Sequence, residues 1–194
     1  MAITVGPTVP PIPAGMIDYA GNAGTEVFRD PVQLQIEMGK TIAVDIPGAA
    51  VGNGTDGVVV RKPGPFPNRG QSVRQSIITD GTSMTLLIGE KRLQPELLGR
   101  AQSHDDQGYT SGWDRDELCW GNVPPDMDRR TQTGFYQFGS SHPSGFNAVF
   151  CDGSVRLIRY NIDSNNTPTA SQPYGVWQKL CKRDDGLSID EAAL

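Results

Sequence analysis

The sequence predicts an α+β domain built mainly of antiparallel β-sheet, with long Gly-, Pro- and Asp-rich loops and one short C-terminal helix. Three observations predict it. The 23 Gly and 15 Pro make about a fifth of the 194 residues turn-forming, which favours short strands joined by frequent bends. Two apolar runs flank Asp152-Gly153, the dipeptide signal of a hairpin. The segment Tyr174 to Lys182 places Trp177, Leu180 and Cys181 on one helical face. The length suits one domain large enough to bury a core without metal or disulfide staples. We read 1–17 as an extended Pro-rich arm and 18–194 as a single globular unit.

Taken in order, Pro7, Pro10, Pro11 and Pro13 extend the arm, and Tyr19 to Gly24 is a small-residue run read as a tight loop. Val32 to Met38 alternates apolar and polar residues, the period of a half-buried strand. Thr41 to Ile46 and Gly57 to Arg61 are β-branched runs read as paired strands across a Gly/Asn/Asp-rich loop. Ser72 to Thr79 reads as a short helix or strand, Asp80 to Ser83 as a turn, and Met84 to Glu90 as an apolar strand. Residues 99–139 are polar and lack periodicity, the mark of a long functional or well-packed loop. Trp113 and Trp120 would anchor it, because indoles bury large areas and donate one hydrogen bond. Phe146 to Cys151 and Ser154 to Tyr160 form the hairpin, with a type I′ turn that needs φ > 0 at both Asp152 and Gly153. The mixing of Val155, Leu157 and Ile158 with Arg156 and Arg159 predicts a bulge in the second strand. Asp184-Asp185-Gly186 ends the helix, and Leu187 to Leu194 docks as a last strand.

Composition narrows the function. A net charge of −5, with no basic run longer than two residues, argues against a nucleic-acid partner. No apolar stretch reaches the ~20 residues needed to span a bilayer, so no membrane contact is expected of this segment. Cys119, Cys151 and Cys181 lack CxxC spacing, which excludes a zinc ribbon. They read either as three buried, reduced thiols or as one disulfide and one free thiol, with the first preferred.

Nine residues separate His142 from Asp152-Gly153 within Phe138-Gly-Ser-Ser-His142-Pro-Ser-Gly145-Phe-Asn147-Ala-Val-Phe-Cys-Asp152-Gly153. This stretch resembles the H-X9-DG signature of a prepilin-like family, domain of unknown function 1559, abundant in planctomycetes. Three further blocks agree with it: Asp18 to Gly24, Ile78 to Lys91 and Asp105 to Asp114. The resemblance implies a β-rich globular head similar to type II secretion pseudopilins, located in the periplasm or at the cell surface. It implies partners that are copies of itself or related pilin-like subunits, and it supplies no catalytic activity. Members of the family open with a prepilin cleavage motif and a long apolar helix, which this sequence lacks.

The candidate chemistry is sparse. His142 and Asp152 read as a metal or catalytic pair, or as a capping histidine and a turn-making aspartate. The second reading is preferred, since an extended strand would hold them roughly 30 Å apart at ~3.3 Å per residue. His104, Asp105, Asp106, Asp114 and Asp116 form the better metal candidate, because carboxylates in a Gly-rich loop can wrap Ca²⁺. No EF-hand spacing supports it, and Asp also favours plain turns. Calcium is the one cofactor left open. Ser140, Ser141 and His142 lack the G-x-S-x-G elbow of a serine hydrolase. Tyr109, Trp113 and Trp120 are a candidate glycan-stacking platform, although loop-anchoring aromatics are the commoner case. The sequence therefore favours a non-enzymatic structural or assembly domain over a glycan- or solute-binding module using the 99–139 loop.

Overall fold

The computed structural model describes residues 17–25, 56–60, 73–100, 102, 105, 116–130 and 136–193. Five strands form one mixed, mostly antiparallel sheet: β1 (Tyr19–Asn22), β2 (Leu86–Glu90), β3 (Leu118–Cys119), β4 (Gly145–Phe150) and β5 (Val155–Arg159). Their order across the sheet is β3-β1-β2-β4-β5, with β1 and β3 the one parallel pair. Among the described residues one short α-helix, α1 (Val176–Cys181), packs on it. The predicted α+β class and C-terminal helix are thus observed. The strand expected over 32–38, and that over 41–46, lie outside the described residues.

β4 shows why the hairpin was legible. Phe146, Ala148 and Phe150 point into the core, while Asn147 and Val149 alternate to the other face. Cross-strand register carries the pattern to β5, where Ile158 faces the core opposite Phe146 and Leu157 faces outward opposite Asn147. The adjacent apolar pair Leu157-Ile158 is divided between two faces, so the expected bulge in β5 is absent. The irregularity lies on β2, where the step from Leu86 to Ile88 matches the single step from Phe150 to Val149.

The corner also differs from expectation. Phe150 N donates to Ser154 O at 2.9 Å and Gly153 N to Phe150 O at 2.9 Å, which makes the loop three residues, Cys151 to Gly153. Gly153 has φ +84°, whereas Asp152 is not in the left-handed region. This is the three-residue hairpin that glycine closes, not a type I′ turn. Asp152 instead accepts Ser154 N at 2.9 Å and Ser154 Oγ at 2.7 Å, and these bonds hold its carboxyl below the usual carboxylate range. A Cβ on Gly153 would meet nothing within 4 Å, so only backbone strain opposes substitution. Gly153→Val is expected to cost roughly 1–3 kcal/mol, and Ser154→Ala under about 1 kcal/mol. Urea denaturation of the two variants checks this; equal midpoints would refute the corner geometry.

Four segments read as irregular or as strands turn out otherwise. Tyr19–Asn22 is a strand inside the sheet rather than a loop, and the 99–139 loop contributes β3. The described part of the 57–61 run is bent: the amides of Val58 and Val59 both donate to Asn22 O, at 3.1 and 2.9 Å. Residues 75–77 form a single 3₁₀ turn, and so do residues 191–193, where a final strand was expected. The turn after Ile78 is present, closed by Met84 N to Gly81 O at 3.0 Å.

The core sits between the sheet and α1. Phe138, Phe146 and Trp177 form an aromatic triangle with centroid separations of 5.6–5.9 Å, joined by Leu86, Phe150, Ile158, Leu180 and Cys181. Trp177 Nε1 donates to Val123 O at 2.7 Å, and Gln178 Nε2 donates to Gly121 O at 2.9 Å. α1 therefore clamps the polar loop onto the core. Buried Asn22 ties the layers together: its Nδ2 donates to Leu86 O at 2.8 Å and Cys181 O at 2.9 Å, while its Oδ1 accepts Gly24 N at 2.9 Å.

The C-terminal segment is fastened to the turn before β2. Asp80 accepts Asp185 N at 2.8 Å and Gly186 N at 2.9 Å. Burial, and then the charge of Asp80, raise the Asp185 carboxyl above its ordinary value. A carboxyl raised by folding contributes stability that is complete in acid and is lost as pH rises through its folded value. Asp185→Asn is therefore expected to raise the melting temperature at neutral pH and to give no gain once both carboxyls are protonated. Melting curves across that range check the sign; an equal gain at every pH would refute it.

Candidate functional site

The signature residues flank β4 without converging. His142 stands before the strand, where its backbone N–H donates to Ser140 Oγ at 3.1 Å and its Nε2 lies 3.4 Å from Glu90 Oε1. Glu90, at the end of β2, also accepts Asn147 N at 2.6 Å. Ser140 is held by Tyr160, whose hydroxyl donates to Ser140 O at 3.0 Å and accepts Ser140 N at 3.0 Å. Burial raises the Tyr160 phenol above its ordinary value, which keeps it a neutral donor. Asp152 and Gly153 lie beyond the far end of β4. Six strand residues separate the two ends, so the histidine and the aspartate serve different corners.

Of the residues proposed as metal ligands, Asp105 and Asp116 are described. Asp106, Asp114 and His104 lie outside the described residues, as do Tyr109 and Trp113. Asp105 is described and buried, but its carboxylate faces an amine: Lys91 Nζ is 3.0 Å from Asp105 Oδ1. Lys91 Nζ also donates to the backbone carbonyl of Asp116 at 2.9 Å. Asp116 is itself fully buried. Among the described residues no group of three His, Cys, Asp or Glu side chains could hold a metal ion. Trp120 is core, 1% exposed, and meets Tyr136 edge-on at 5.3 Å. Its ring anchors the loop and offers no face to solvent.

From sequence the basic pair Lys91-Arg92 reads as solvated surface, yet both residues are buried. The available signal was a lysine directly closing the apolar run Leu86-Leu87-Ile88 and Gly89-Glu90, where its side chain must either bend out to water or find an acid inside. The side chains of Lys91 and Asp105 are 0% and 1% exposed. Both are drawn in by β2, which continues beyond Glu90 through the bridge from Lys91 to Phe138 and the bond from Lys91 N to Asp18 O at 2.8 Å.

The cysteines offer no reactive thiol. All three are free; burial pushes Cys119 up to about 12, and burial followed by the Asp152 charge pushes Cys151 up to about 11. Burial also raises the Cys181 thiol well above its ordinary value. At neutral pH they pack as small apolar groups.

The outer face of the sheet is the other notable surface. Tyr19 (55% exposed), Ile88 (38%), Val155 (65%) and Leu157 (46%) lie on it, because register pairs Gly21 with Ile88, Ile88 with Val149, and Val149 with Val155. With the half-buried Val149 of β4 between Ile88 and Val155, they give that face an apolar row, flanked by Glu90 and Asn147. β5 ends the strand order, so its outer edge is unpaired by any strand among the described residues.

A family model described as a protein of unknown function (DUF1559) matches residues 33–165, more than half of the chain. No curated protein and no solved structure matches the chain.

Proposed function

This chain belongs to the DUF1559 family, and we propose that it is a non-enzymatic structural domain that assembles outside the cytoplasm with copies of itself or with related pilin-like subunits. The observation that carries this reading is the exposed apolar set Tyr19, Ile88, Val155 and Leu157 beside the edge of β5, which no described strand pairs. Exposed apolar residues aligned across a sheet face favour association, and an open edge strand can accept another chain. Pilin-like assembly, as the sequence resemblance implies, would use such a surface. The signature residues support the same reading, since His142, Asp152 and Gly153 are engaged at the two corners of one strand rather than around a shared substrate position.

Light scattering over a range of concentrations tests it. The unaltered chain is expected to gain mass with concentration, and a Val155→Lys, Leu157→Lys double variant is expected to remain monomeric with an unchanged melting temperature, because both side chains point away from the core. Monomers throughout, with only dispersed particles in electron micrographs, would defeat the assembly reading. The rival reading, a glycan- or solute-binding module, would have to rest on Tyr109 and Trp113; a thermal-shift screen in which Trp113→Ala abolishes a ligand-induced rise would favour it.

A further inference from the structure

We propose that Lys91 and Asp105 are the site of an intramolecular isopeptide bond, formed by the chain itself between the lysine amine and the aspartate carboxyl. The proposal does not depend on the assembly reading. Its basis is the geometry of the pair: Nζ and Oδ1 are 3.0 Å apart, with both side chains withdrawn from water. An amine hydrogen-bonded to one carboxylate oxygen is one bond removed from the carbon it would attack, and a modest rotation of either side chain would bring it over that carbon.

The surroundings suit condensation. The Asp116 backbone carbonyl accepts from Nζ at 2.9 Å and so orients the amine. The Ile17 N–H donates to Asp105 Oδ1 at 3.1 Å, in position to stabilise the charge that grows on that oxygen during attack. A buried ion pair is expensive because two charges have left water. Proton transfer from the ammonium to the carboxylate removes both charges and yields an amine and an acid. The Nζ–Cγ bond then forms, the Cγ–Oδ2 bond breaks, and Oδ2 departs with two protons as water. An ammonium and a carboxylate become one amide and one water, so charge and atoms balance and no oxidant is needed. The proton left on nitrogen passes to the leaving oxygen and makes the second O–H of the departing water.

The bond would join the end of β2 to the loop that carries β3, and through Ile17 to the start of β1. Intact-mass measurement of the denatured, reduced full chain tests it. The expected mass is one water below that of the sequence, with trypsin failing to cleave after Lys91 and a branched peptide linking the Lys91 and Asp105 segments. Lys91→Arg is expected to restore the full mass. Dehydration that persists in Lys91→Arg would mean a cyclised aspartate instead, and would overturn the proposal. The full sequence mass in the unaltered chain, with normal cleavage after Lys91, would overturn it as well.

Discussion

Trp177→Ala is expected to cost about 3–5 kcal/mol, the range for deleting a large aromatic side chain from a packed core. Trp177 is fully buried and stands edge-on to both Phe138 and Phe146. Truncation opens a cavity between α1 and the sheet, and the surrounding rings cannot close it without leaving their own contacts. It also removes the indole donor from Val123 O, releasing one of the ties between α1 and the polar loop. Since whole domains are stable by only about 5–15 kcal/mol, the variant should be close to unfolded at physiological temperature. Trp177→Phe keeps most of the ring volume and loses the hydrogen bond, so its loss should be roughly half as large. Urea denaturation followed by far-ultraviolet circular dichroism gives both values. A Trp177→Phe chain as unstable as Trp177→Ala would mean that the tie to Val123, rather than the aromatic packing, dominates.

Asn22→Asp is expected to be at least as damaging, although it barely changes shape. The amide of Asn22 aims its Nδ2 at two carbonyl oxygens, Leu86 O and Cys181 O. A carboxylate there has no donor, faces two negative dipoles and is removed from water. Each buried bond lost costs about 1–3 kcal/mol, and burying the charge adds more. The protonated acid could serve only one of the two carbonyls. The variant should therefore be least stable at neutral pH and recover in part as pH falls, because the folded state prefers the neutral form. Melting temperatures measured from neutral to acid pH check the sign; a variant that loses stability as pH falls would contradict the hydrogen-bond assignment.

The two positions also show which parts of the fold are written locally in the sequence. α1 and the β4–β5 hairpin are legible because their signals are short-range: a helical face of Trp177, Leu180 and Cys181, and an apolar alternation broken by Asp152-Gly153. β1 is not legible, since Tyr-Ala-Gly-Asn has little strand propensity. It is a strand because its neighbours need a slim backbone: a Cβ on Gly21 would stand 2.7 Å from Val59 Cγ2. β3 is two residues long and parallel to β1, and no local pattern can announce so short a pairing. The corner at Asp152 was misjudged in type because sequence identifies the dipeptide but not which amides the turn at 82–85 will take. In the structure Cys151 N donates to Thr85 O and Asp152 N to Thr82 O.

The candidate sites divide in the same way. His142 and Asp152 could be found from spacing, yet spacing carries no information on convergence, and the strand between them keeps them apart. The acidic run from Asp105 to Asp116 suggested a cation, and the cation observed at Asp105 is the ammonium of Lys91. That pairing joins positions 14 residues apart, one at a strand end and one in a loop, and only tertiary structure brings them together.

The unequal margins of the sheet restrict the kinds of polymer it could build. Among the described strands, one border is β5, five residues long, and the other is β3, only two. Strand-to-strand growth in a head-to-tail sense would require a long border to dock on a short one, leaving most of its ladder bonds unmade. Two copies joined β5 to β5 would instead satisfy each other and close as a two-fold dimer, with no long border left for a third. A fibre built on these described strands alone would propagate through the flat of the sheet, side chain against side chain.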